Sequence, residues 1–147
     1  MKKMTVLFIS LSLFISLAGC ATAPVTPVAV REYKPVNAEE AAVISVIIAF
    51  EESFNQADAK KMSSILADEA KMMHGWNKQI LTKEEYKKIL PQRIKEMGVV
   101  TFSNPRIEIN QGEATVWADY KSRVAVLNYS FKLKKMGDKW LIMSNSF

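Results

Sequence analysis

Arg106-Ile107-Glu108-Ile109-Asn110-Gln111-Gly112-Glu113-Ala114-Thr115-Val116-Trp117-Ala118-Asp119-Tyr120 decides the fold. Apolar and polar residues alternate on either side of Asn110-Gln111-Gly112, the pattern of two strands meeting at a tight hairpin turn. Ala114, Val116, Ala118 and Tyr120 share one face of the second strand. The same period continues downstream, where Leu127, Tyr129, Phe131 and Leu133 share a face of another strand. Gly137-Asp138 then turns the chain into Trp140-Leu141-Ile142-Met143 and on to Phe147.

Upstream of Gly98 the period is helical. Asn37, with Glu40 three residues on, caps a long helix whose apolar stripe is Val43, Ile47, Phe50 and Phe54. Ile44 and Ile48 widen the stripe, and Glu51, Glu52 and Gln56 mark the side expected to face water. Asp58 caps a short second helix carrying Met62, Ile65 and Leu66 inward. Met72-Met73-His74-Gly75-Trp76 breaks the helical pattern and suits a short strand or turn. Thr82-Lys83-Glu84-Glu85 is a second capping box, opening a helix with Tyr86, Ile89 and Leu90 inward. Pro91 is expected to kink or restart that helix, and Gly98 to end it. Helices followed by antiparallel strands predict an α+β domain in which a curved sheet closes over three N-terminal helices.

The order of these elements is similar to that of the nuclear transport factor 2-like superfamily. The resemblance rests on the long helix, the turn at Asn55-Gln56-Ala57-Asp58, the Thr-Lys-Glu-Glu-Tyr helix and the four strands ending Gly137-Asp138-Lys139-Trp140-Leu141-Ile142. It covers residues 38–147 and implies a cone: a strongly bent mixed or antiparallel sheet wrapped around helices, with a cavity between them. The superfamily includes ketosteroid isomerases, dehydratases, polyketide cyclases and members without chemistry, so the resemblance implies a fold and no single activity.

The N-terminus supplies an address. Lys2 and Lys3 precede an apolar run that ends at Leu17-Ala18-Gly19-Cys20. A basic start, a short apolar segment and small residues at the cut form a secretory signal, and the run is shorter than the roughly 20 residues a spanning helix needs. Leu17-Ala18-Gly19-Cys20 resembles the lipobox of bacterial lipoproteins, which implies acylation of Cys20 and a membrane anchor. Ala21 in place of an aspartate favours the outer membrane, with the domain facing the periplasm. Residues 1–19 are thus the leader, residues 20–37 the acylated cysteine and an extended tether with three prolines, and residues 38–147 the domain. Cys20 is the single cysteine, which excludes an internal disulfide.

Loss of Lys2 and Lys3 with the leader lowers the formal net charge of +5 by two. The remaining basic residues are scattered, and nucleic-acid binding is not expected. Phosphate loops, nucleophile elbows and paired histidines are absent from the sequence, and no cofactor is expected. His74 is the one histidine, a candidate general base and a poor metal ligand without a second imidazole or a free cysteine; no metal site is assigned. Asp119 is a second candidate base, but alternation sets it with Thr115, Trp117 and Lys121 on a face expected to meet solvent. Trp76, Tyr86, Tyr120, Tyr129 and Asn145 are the candidate ligand-binding residues, with Trp117 and Trp140 as further aromatics for a pocket.

These observations predict a membrane-anchored domain that binds a small apolar ligand or a protein partner without catalysis. The alternatives are an isomerase or dehydratase using His74 or Asp119, and a structural module that forms homodimers through its sheet, with Trp117 and Val126 at the interface.

Overall fold

A computed structural model describes residues 26–147. The leader, Cys20 and the first part of the tether lie outside the described residues. Helix α1, Ala38–Asn55, begins where the Asn37 side chain accepts the Glu40 amide at 2.8 Å. The Glu40 carboxylate accepts from Val36 at 2.7 Å, one residue earlier than a capping box would place it. Helix α2, Ala59–Ile65, is capped by Asp58, which accepts from Lys61 at 2.9 Å. Helix α3, Lys83–Met97, carries the full capping box of Thr82 and Glu85. It runs through Pro91 without restarting and closes at Gly98, whose φ of 68° suits glycine. Pro91 is exposed, so water can take the carbonyl its missing N–H leaves free.

Six strands form one sheet in the order β2-β1-β6-β5-β4-β3. They are β1 Leu66–His74, β2 Gln79–Thr82, β3 Thr101–Asn110, β4 Glu113–Lys121, β5 Val126–Met136 and β6 Lys139–Ser146. Strands β1 and β6 are parallel and the other neighbours antiparallel, so the sheet is mixed. The hairpin between β3 and β4 turns on Gln111 and Gly112, both at positive φ, the two-residue turn whose twist matches that of its strands. Register shifts in β1/β6, β3/β4 and β5/β6 bend the sheet around the helices, giving the expected α+β cone.

The inner sheet face and the α1 stripe make one core. Phe50 packs its ring at 5.0 Å from Phe131 and 6.1 Å from Phe102, and Val43, Ile47 and Phe54 are buried around it. Three expectations change here. Leu66 begins β1 instead of ending α2, so that strand is longer than a local break at Met72 implied. Strand β2 ends on the Thr82 cap and has no sequence signal of its own. Glu51 does not face water: it is buried, accepts the Phe102 amide at 2.8 Å and pairs with Arg31 at 3.1 Å.

The Arg31 contact belongs to a packed N-terminal strap. Val28 and Asn104 exchange two hydrogen bonds, Ala29 bridges Ser103, and Val30 is buried within a short 3-10 turn, Val30–Glu32. The packed body therefore extends ahead of residue 38, over part of the stretch read as tether.

Candidate functional site

Strand lengths leave the cone open at one end. Ser146, the last residue of β6, pairs with Ser130, while β5 begins four residues earlier at Val126. Phe147 sits beyond the ladder, stacked on Tyr129 at 5.5 Å, and lines the resulting mouth. Gly75 and Trp76 from the β1–β2 turn, Met97 from α3, Ala125 just ahead of β5 and Leu127 within it complete an apolar outer chamber of about 60 Å³. Behind it lies an inner chamber of about 30 Å³, bounded by Met73, His74, Tyr86, Phe102 and Tyr129. Arg93, Tyr120 and Phe147 line both. A water needs roughly 10–15 Å³ of such space, so the two chambers admit a few small groups and no large ring system without side-chain movement.

The inner chamber is polar by construction. Asn145 is buried in β6 and ties that strand to β1, accepting the Met73 amide at 2.8 Å and donating to the Met73 carbonyl at 3.2 Å. Its amide also donates to the Tyr129 hydroxyl. With Asn145 as donor to its oxygen, Tyr129 keeps its own proton to give. Burial pushes the phenols of Tyr86 and Tyr129 well above the ordinary tyrosine value and raises that of Tyr120 too, so all three remain neutral donors.

His74 ends β1 and lines this chamber. Its Nδ1 is buried without a hydrogen-bond partner. Burial holds the imidazole below its usual pKa, the Arg93 charge lowers it further, and Glu96 partly opposes the shift. A neutral imidazole beside neutral phenols can accept or relay a proton.

The chain thus brings together five of the sequence candidates: His74, Tyr86, Tyr120, Tyr129 and Asn145. Trp76 stands at the lip, 75% exposed, with its ring outside the chambers for most of its surface. Asp119 takes no part. It lies exposed on the outer sheet face and accepts from Asn104 at 2.7 Å, the solvent side that strand alternation assigns to it. Its candidacy as a base in the cavity ends there. Trp117 shares that outer face, under Arg106 at 5.7 Å, and Trp140 is buried away from both chambers. Among the described residues no cluster of three His, Cys, Asp or Glu side chains could hold a metal, and no helix is long and apolar enough to cross a membrane.

Arg93 and Phe147 are the residues that sequence reading missed. The signal for Arg93 was present: it follows Tyr86 by seven residues and precedes Met97 by four, placing an arginine on the buried stripe of α3. Phe147 had none, because its role follows from where β6 stops.

Solved structures with this architecture cover nearly their full length in the match. A protein from Nostoc punctiforme with a cystatin-like fold shares 18% identity over 76% of this chain and 92% of its own, with a TM-score of 0.62. An NTF2-like protein from Shewanella baltica shares 16% over 77% and 94%, also at 0.62. A third, an NTF2-like protein from Cytophaga hutchinsonii, shares 14% over 75% and 96%, at 0.62. At such identities the likeness shows the fold. No curated protein matches the chain by sequence. The family described as SnoaL-like domain matches residues 43–145, from the first buried valine of α1 to the Asn145 strut. The chain belongs to the SnoaL-like domain family.

Proposed function

We propose that this SnoaL-like domain is an envelope lipoprotein, held at the outer membrane by acylated Cys20 and facing the periplasm, that takes up a small ligand through the mouth of its cone. The observation that carries the reading is the two-chambered cavity: an apolar lip of Trp76, Met97, Leu127 and Phe147 leads to the polar floor of His74, Tyr86 and Tyr129. Apolar walls with a few converging polar groups are the usual build of a small-molecule site. The outer sheet face supports a partner less well. Thr115, Asp119, Asn128 and Lys132 make it polar, and Arg106 lies over Trp117. Native mass spectrometry of the chain released from bacterial envelopes should retain a small adduct. A bare dimer would favour the assembly module in its place. Changing Cys20 to Ser should release the protein from membranes and abolish lipid labelling; unchanged fractionation would defeat the anchor.

Catalysis is the second reading, favoured by His74, which lines the inner chamber and whose buried Nδ1 has no hydrogen-bond partner. Here His74 would remove a proton from a bound carbon acid, with Tyr86 and Tyr129 donating hydrogen bonds to the oxygen that gains charge.

A further inference from the structure

The cavity contains one full charge. Arg93 lines both chambers, and its side chain is 18% exposed. Its positive charge reaches His74, Tyr86, Tyr120 and Tyr129, lowering the proton affinity of each. Among the described residues its guanidinium has one hydrogen-bond partner, Glu96 on the next turn of α3, at 3.0 Å from Nη1. Glu96 lies on the outer side, about half exposed, and no acidic residue lines either chamber. A guanidinium offers five N–H donors in a planar fork, and one bond to Glu96 leaves most of that fork unused. A cation set into an apolar wall is costly unless an anion meets it.

We infer that the cone takes its ligand as an anion: a small monocarboxylate whose head lies against Arg93 and whose short tail lies among Met97, Ala125 and Leu127. The inference rests on the reading of the cavity as a ligand site and names the chemical class that site accepts. Arg93 is suited to the head because planar guanidinium and carboxylate groups pair through two parallel hydrogen bonds. The Tyr129 hydroxyl, whose oxygen already receives the Asn145 proton, has its own hydrogen to donate to the same head. A cationic guest would meet Arg93 with no acid in the chamber walls to offset it. A neutral guest would leave Arg93 with Glu96 as its one anionic partner and most of its N–H donors without an acceptor. Chamber volumes of about 60 and 30 Å³ limit the tail to a few carbons unless Phe147 moves aside.

The test compares butyrate with butyramide, which has nearly the same shape and no charge, by calorimetry on the full chain in lipid nanodiscs. Butyrate should bind at least about tenfold more tightly, the effect of a charge-assisted pair over a neutral one. Arg93→Gln should erase the preference, while Arg93→Lys should keep part of it. If Arg93→Gln fails to fold by circular dichroism, the comparison rests on the unaltered chain and Arg93→Lys. Equal binding of acid and amide overturns the anion inference and leaves the ligand site standing. Binding of neither, with butyrate also failing to shift the Trp76 fluorescence, overturns both. A butyrate preference that survives Arg93→Gln overturns the assignment of the head to Arg93.

Discussion

In the centre of the domain Phe50, Phe102 and Phe131 pack ring against ring, whereas at the mouth Trp76, Leu127 and Phe147 surround open space. Both regions are aromatic, and both are reached by strands of one sheet. They differ in what closes them. The centre has α1 on one side and three paired strands on the other, so each ring meets a partner. The mouth lies where β6 has stopped and β5 continues, so Phe147 lies past the end of the ladder and lines open space. Packing at the centre holds the fold, and incomplete packing at the mouth leaves the cavity open. The two can be separated by mutation.

The largest effect belongs to the centre. Phe131→Ala should cost about 3–5 kcal/mol, the range for truncating a fully buried phenylalanine, measured by urea unfolding. A loss under 1 kcal/mol would show that the centre is as loosely packed as the mouth. Glu51→Ala should cost about 2–3 kcal/mol in the same assay, because it strands the buried Phe102 amide and leaves Arg31 without its inner partner. Phe147→Ala should cost only about 1 kcal/mol, since its ring is half-buried, and should speed ligand entry in stopped-flow measurements. An equally large loss there would make Phe147 part of the core.

The smallest effect concerns pH. His74 is held below its usual pKa by burial, so near pH 7.5 it is neutral both folded and unfolded. As pH falls through about 6.5 the unfolded chain takes up the proton first, and the folded state loses relative stability until its own lower pKa is passed. His74→Gln should flatten that decline in a melting series from pH 7.5 to pH 5. A decline that persists unchanged would assign it to another group.

What the sequence discloses follows the range of the interactions. The β3–β4 turn, the caps at Asn37, Asp58 and Thr82, and the solvent side of Asp119 depend on neighbours within a few residues, and each is readable locally. Glu51 reads as a surface residue because the groups that hold it, Arg31 and the Phe102 amide, lie 20 and 51 residues away. The start of β1 reads as helix because Leu66-Ala67-Asp68-Glu69-Ala70 gains its strand geometry from β6, far along the chain. Tyr86, Tyr129 and Asn145 are visible as polar residues on apolar faces. Their convergence with Arg93 and His74 depends on four separate elements, α3, β1, β5 and β6, meeting at one end of the cone, and no spacing in the sequence encodes that.

The measurement closest to the central claim is an amide NMR titration of the chain with small apolar compounds, acids and amides together. Shifts concentrated at Gly75, Trp76, Met97, Ala125 and Leu127, with Thr115, Asp119 and Asn128 unmoved, are the expected result. Shifts confined to the outer sheet face, or a mouth that stays silent at saturating ligand, would contradict it.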